Sequence, residues 1–452
     1  MVKTTNQGKA MHQIFFLGNI IDYLCKAWGQ LPDHRKPSPN TQYQMVDGVL
    51  AAFAVFFLQS PSFLAHQRTM KGKRGRSNAQ TLFQIQHLPS DPQIRNLLDP
   101  LLPSYFEPDY EWLLHQLDQW GGLAGFRDYQ QTFLVALDGV VYFSSTQIAC
   151  PQCSQRKDTT GQVHYYHAAL TPVIVKPDSP HVLPLAPEFI EPQDGHQKQD
   201  CEQVAAHRWL QKQGAALPPF SRTYLADDLF SHQPLCQQIV DQQQYFLLVC
   251  KPDSHPTLYE WVAGLDKGGS LSRHSVRRWN GKHGELWQYR FVSQIPLRDG
   301  EEALLVNWLE LTVCHEQTGE VLYHNAFITN HAVTTATVDP LGRVGRARWK
   351  VENENNNVLK NRGYHFEHNF GHGHEHLSSV LCSLNLLAFL IHTILHLVDQ
   401  LYRLLRDTLA VRQTFFNDLR ALTRYMLFES WQALFRFMAE GLELSLPSAL
   451  PP

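Results

Sequence analysis

Two carboxylates sit where carboxylates are expensive. Asp138 lies within the apolar run TFLVALDGVVYFSS, and Asp227 follows the run TYLA. A carboxylate without a partner in such a place costs several kcal/mol or is neutralised by a pKa shift. A bound cation offsets that cost directly. A third acid, Glu352, belongs to the charged stretch RARWKVENENNNVLK, Arg346 to Lys360. If that stretch is a helix, Arg348, Glu352 and Asn356 share a face, and Glu354 is turned about 200° away from Glu352. The chemistry within reach of Asp138, Asp227 and Glu352 together is the holding of divalent metal. Each acid also has a plainer role open to it. Asp138 could turn the chain with Gly139, Asp227 and Asp228 could cap the next turn, and Glu352 could pair with Arg348 on a solvated face.

A second constellation is CPQC at 150–153 with His164 and His167 downstream. Cys150, Cys153, His164 and His167 give C-x2-C-x10-H-x2-H, close to a four-ligand zinc pattern. The final spacing is tighter than usual, and residues i and i+3 of a strand point to opposite faces. A hairpin tip with two unliganded thiols is the alternative. His365, His368, His372, His374 and His376 crowd a polar connector that could bind metal or phosphate. Lys71, Lys73, Arg74 and Arg76 in KGKRGRSN read as a Gly-rich loop, either solvated or serving as a phosphate-contacting arm.

The elements that must position these residues follow from apolar patterning. Residues 1–130 read as helical, with segments at Ile14–Trp28 (ending before Pro37 and Pro39), Val46–Leu58, Leu88–Leu98 (Asp91 as N-cap) and Tyr110–Trp120. Strands are expected at Thr132–Ser145, as one continuous run, and at Val163–Val175, Val182–Ile190, Thr223–Ala226 and Tyr245–Cys250. A loop at Pro192–Gln199 and helices at Asp200–Gln213 and Pro234–Val240 separate the later ones. Three strands, a helix, a strand, a helix and a strand suit a meander followed by two parallel strands. No helix is expected directly after Lys251. Ser275–Val333 alternates as further strands, and a helix spans about Val344 to Gly363. Leu377–Leu397 and Leu401–Glu440 read as C-terminal helices.

The 452 residues suit two or three domains. The net charge of −3 gives no bulk attraction to nucleic acid, but Arg343–Arg362 holds six basic residues, and local patches govern phosphate contact. The eight cysteines are mostly scattered and the N-terminus shows no apolar leader, so a reducing cytoplasm is expected. Leu377–Leu397 is interrupted by Ser, Asn and His and reads as a buried helix; no membrane association is expected.

Two strand-borne acids followed by a helix-borne one resemble the DDE triad of insertion-sequence transposases. The specific resemblance is to the group whose last acid lies in Y-x-x-R-x-x-x-E-x-x-x-x-x-x-K after a β-rich insertion, and it covers most of Thr132–Leu397. Arg348 matches the signature Arg, Trp349 the aromatic after it and Glu352 the acid. Asp227 with Phe230 fits the second-acid motif, which favours Asp227 over Asp228. The signature Tyr position is Gly345, and the Lys position is Leu359, with Lys360 one residue late; that slip leaves a case for Glu354. The resemblance implies an α/β, RNase H-like mixed sheet with a β-rich insertion and helical N- and C-terminal regions. Its expected parts are a helical DNA-binding region (1–130), a catalytic core in two pieces (131–251 and 344–400), the insertion (252–343) and C-terminal helices (401–452). It implies two Mg²⁺ or Mn²⁺ ions per site, with structural Zn²⁺ an open question, and cleavage and joining of double-stranded DNA at terminal inverted repeats and target. It further implies a homodimer on DNA, nucleoid-associated in a prokaryotic cytoplasm. Lys71, Lys73, Arg74, Arg76, Arg348 and Lys360 would contact DNA, and Trp279, Trp287 or Trp308 could stack on an unpaired base. A nuclease that cuts without joining, or a catalytically inactive DNA-binding derivative, is the alternative.

Overall fold

The computed structural model describes residues 17–36, 38, 39, 41–192, 200–214 and 217–445. Ile14–Phe16, Pro37 and 193–199 of the predicted segments lie outside them. The chain is mixed α/β. The strands are β1 (Phe133–Ala136), β2 (Gly139–Ser145), β3 (Ser154–Lys157), β4 (Val163–Leu170), β5 (Val173–Val175), β6 (Leu183–Pro184) and β7 (Glu188–Ile190). They continue with β8 (Arg222–Ala226), β9 (Tyr245–Val249), β10 (Ser272–Trp279), β11 (Gly284–Pro296), β12 (Leu305–His315) and β13 (Val321–Thr329).

Nine strands form one sheet in the order β10-β11-β12-β13-β9-β8-β1-β5-β6. β5 and β6 fold back antiparallel beside β1, while β8 and β9 lie parallel on its other side. The expected meander and two parallel strands are therefore present. β13 pairs antiparallel with β9, so the β-rich segment extends the same sheet instead of forming one of its own.

Two long apolar runs do not stay in one sheet. TFLVALDGVVYFSS breaks at Leu137–Asp138: β1 belongs to the nine-stranded sheet, and β2 pairs with β4 in a second sheet that also holds β3 and β7. Val163–Val175 likewise divides at Thr171 into β4 and β5. Continuous apolarity reports burial without recording which sheet a residue bonds to, and 134–137 and 167–175, next to the two breaks, are buried. A helix missed after Lys251 occupies Pro256–Lys267, with only Leu258 and Val262 buried.

The helical ends interlock. Met45–Phe57 packs against Leu377–Val398, where Phe57 and His392 bring their rings to 4.6 Å. Asn78 donates to the carbonyls of Thr423 and Met426, and Trp431 donates to Leu82. Leu377–Val398 is long and apolar enough to cross a membrane, but 89% of its most apolar window is buried inside this fold. Gln400–Thr408, Arg412–Tyr425 and Trp431–Gly441 complete the C-terminal helices. The segment read as a basic loop is mostly helical: Lys73–Phe83 follows a two-residue turn after Phe63–Met70. The N-cap position of Asp91–Leu98 is Ser90, one residue before the expected Asp91, and its side chain makes no capping bond.

Candidate functional site

The register of the parallel strands sets the first two acids. Ala136 lies opposite Leu225, and the Leu137 amide still donates to the Leu225 carbonyl (2.8 Å). Two residues further along each chain are Asp138 and Asp227, side by side at the carboxyl ends of β1 and β8. Open α/β sheets place ligands beyond that edge. The Asp138 backbone is fixed there, since its carbonyl accepts from the Thr171 amide (2.9 Å).

The third acid arrives on an irregular helix. Val338–Arg346 is α-helical, Ala347–Trp349 tightens to a 3₁₀ turn, Val351–Asn356 widens to a π turn, and Asn357–Asn361 is α-helical again. Arg348 donates to Glu352 (2.6 Å), so the predicted face pair exists, with Glu352 half exposed. Asn356 Nδ2 donates to Asp138 Oδ2 (3.0 Å), joining this helix to the strand. The π turn also changes the phase of Lys360. In a regular α-helix residue 359 lies about 20° from residue 352 and residue 360 about 80° away. One extra residue taken up in a π turn recovers about 100°, so Lys360 takes the phase expected at 359. Leu359 is turned into the core, and Lys360 pairs with Glu367 (2.8 Å). At Gly345 a Cβ would come within 2.7 Å of the Phe327 ring, so a side chain on this backbone would displace that ring. Glu354 lines a separate pocket with His181, Arg406 and Arg412.

A fourth carboxylate, Glu202, shares this electrostatic neighbourhood. Glu202 opens the helix Glu202–Gly214, and a Cβ at Gly139 would lie 2.1 Å from its carboxyl carbon. Gly139 is thus a glycine because Glu202 rests on it. Asp138 is pushed up to about 7, first by burial and then by the negative charges of Glu352 and Glu202. Asp227 is raised by burial, against the Leu229 amide that donates to it at 3.0 Å. Glu202 is raised by burial and by Asp227. The capping role of Asp227 is therefore real and coexists with its place in the cluster. Asp228 instead accepts from the Lys251 amide (2.6 Å) and from Ser254.

The second constellation closes with one substitution. Cys150, Cys153 and His167 converge as expected, but His164 does not join them. It points to Asp158 (3.0 Å) on the other face of β4, as the i, i+3 parity of a strand requires. His372 from the connector takes the fourth place. The donor atoms of Cys150, Cys153, His167 and His372 all lie within 4.8 Å of one another and could hold a metal such as zinc. This is the only cluster that tight among the described residues; the acids share an electrostatic neighbourhood at wider spacing.

Of the exposed cations, Lys71 lies in the turn between two helices and Lys73, Arg74 and Arg76 on the second of them, and both helices pack against Arg412–Tyr425. Of the three tryptophans suited to base stacking, Trp308 and Trp287 are buried, at 0% and 6% exposure, and Trp279 is 70% exposed. A scan against protein-family models finds no match for this chain, and a search of curated proteins finds none.

Proposed function

We propose that this chain is a DDE-type transposase with an RNase H-like core, cleaving DNA at its element's ends and joining those ends to target DNA. The observation that carries the reading is that Asp138 and Asp227 end adjacent parallel strands, with Glu202 and Glu352 in the same electrostatic neighbourhood at wider spacing than a formed metal site. The meander and parallel pair of strands around β1 support it further, as does the π turn that brings Lys360 into phase.

The donor set fits a hard divalent cation: every donor is a carboxylate oxygen, and three of the four acids are strained toward protonation, which a cation would relieve. Bound there, Mg²⁺ or Mn²⁺ would supply Lewis acidity and lower the pKa of a ligated water or 3′ hydroxyl. Asp138, Asp227 and Glu352 would hold it, and Asn356 would keep Asp138 turned toward the site. Arg348 can transfer a charge-assisted hydrogen bond from Glu352 to a substrate phosphate. Lys360 can exchange its exposed partner Glu367 for a phosphate in the same way.

Lys73, Arg74 and Arg76 crowd the first turn of a helix that has no acidic residue there. Cations at that end oppose the helix dipole, so the helix gains from an anionic partner, here the DNA backbone. A homodimer on paired ends, within the cytoplasm of a prokaryote, belongs to the same reading. A strand-transfer assay with pre-cleaved 3′-hydroxyl ends tests joining. Joined product is expected with Mg²⁺; hydrolysis alone would replace this reading with a nuclease of the same architecture, and DNA binding alone with an inactive derivative.

A further inference from the structure

The cysteine–histidine cluster draws on three separate stretches of chain. Cys150 and Cys153 lie on the β2–β3 loop, where the Cys153 amide donates to the Cys150 carbonyl (3.1 Å) and folds both sulfurs to one side. His167 lies on β4. His372 lies in the connector between the Glu352 helix and Leu377–Val398.

The spacing of the donors is informative. The two Sγ atoms are 3.8 Å apart. His167 Nε2 is 3.5 Å from each sulfur, His372 Nε2 is 3.3 Å from Cys153 Sγ, and the two Nε2 atoms are 3.1 Å apart. A tetrahedron centred ~2.3 Å from each sulfur and ~2.05 Å from each nitrogen has edges of about 3.8, 3.5 and 3.3 Å for S–S, S–N and N–N. The observed distances follow these edges to about 0.2 Å. Protonation is also arranged for ligation. His372 Nδ1 lies 3.0 Å from the Gly373 carbonyl, which can only accept, so Nδ1 carries the hydrogen and Nε2 presents its lone pair to the cluster. Cys153, His167 and His372 are buried and Cys150 is half-buried, a closed set of four with no position left for substrate.

We propose that Cys150, Cys153, His167 and His372 bind one structural Zn²⁺ that clamps the connector behind the Glu352 helix to β4. The clamp bears on the acids without touching them. Four residues along from His167, Thr171 holds the Asp138 carbonyl and lies 3.4 Å from Asn356. On the connector, two residues after His372, Asp99 begins accepting the amides of His374, Glu375 and Leu377, and a Cβ at Gly373 would strike it. Zinc and Asp99 thus fasten adjoining parts of the connector to the second sheet and to the N-terminal helices. The proposal stands whether or not the acids perform phosphoryl transfer.

The test is the metal content of full-length protein purified without chelator. About one zinc per chain is expected in the wild type and in His164→Ala, and less than about 0.2 in Cys150→Ser and His372→Ala. Zinc-free wild type from zinc-supplemented growth, or full zinc in His372→Ala, would overturn the site. Should the variants be insoluble, cobalt(II)-substituted wild type decides the matter. Thiolate-to-cobalt charge transfer with intense tetrahedral bands is expected; a weak octahedral spectrum would overturn the proposal. Stripping the metal should also expose residues 363–376 to protease, and unchanged cleavage there would remove the clamp.

Discussion

Replacing Asp138 by Asn should stabilise the protein while abolishing cation binding at the acid site. Asp138 is raised from about 4 in an unfolded chain to about 7 by burial and by Glu352 and Glu202. Between those values the folded chain keeps a proton that the unfolded chain releases, so stability is present at low pH and lost as pH rises from about 4 to about 7. Three pKa units correspond to a ceiling of about 4 kcal/mol. Water at the partly exposed carboxylate lowers the expected figure to about 2 kcal/mol at pH 8. Asn at 138 removes the charge and keeps an oxygen to accept from Asn356. Thermal and urea midpoints should be measured from pH 5 to pH 8 in chelator and again in Mg²⁺. Wild type should lose stability across the range in chelator and regain it with Mg²⁺ at pH 8, by ligand linkage. Asp138→Asn should be flatter with pH, more stable than wild type in chelator at pH 8, and indifferent to Mg²⁺. An Asp138→Asn protein that is less stable at pH 8, or that gains as much from Mg²⁺ as wild type, would refute the reasoning.

Glu202→Gln should weaken Mg²⁺ binding measured by calorimetry while leaving the fold intact; unchanged affinity would remove Glu202 from the site. Replacing Lys73, Arg74 and Arg76 together by Gln should flatten the dependence of log affinity for duplex DNA on log salt by about 2.7, without loss of thermal stability because these cations oppose their helix dipole; an unchanged slope would place the DNA elsewhere. Trp279→Ala, at the exposed end of β10, should cost about 1–3 kcal/mol in binding DNA that carries an unpaired base and nothing in melting temperature. Trp308→Ala, fully buried, should instead cost about 3–5 kcal/mol of stability.

The acids of the sheet stand out in the sequence because each is a charge set against an apolar run; helical spacing only separates Glu352 from Glu354, and the choice of Glu352 came from the resemblance at Arg348 and Trp349. The strand directions around β1 were legible because helices interposed between strands force parallel pairing. The break at Asp138 was not, because apolarity does not record which sheet a residue bonds to. Pro256–Lys267 was legible, since Leu258, Trp261, Val262 and Leu265 fall at i, i+3, i+4 and i+7 behind Pro256 at the first helical position. Glu202 looked like an ordinary first-turn acid, and only the tertiary approach to Gly139 reveals it. His372 lies 205 residues from His167, beyond any spacing rule, although the parity of β4 already spoke against His164.

Metal-dependent cleavage at the ends is measured on a plasmid carrying the coding region with its native flanks, incubated with purified protein and Mg²⁺. Wild type should cut strands at the flanks, and Asp138→Asn, Asp227→Asn and Glu352→Gln should each abolish cutting while still retarding the same DNA in a gel. Cleavage at the wild-type rate by any one of the three would contradict its assignment, and absence of Mg²⁺-dependent cleavage by the wild type would contradict the account as a whole.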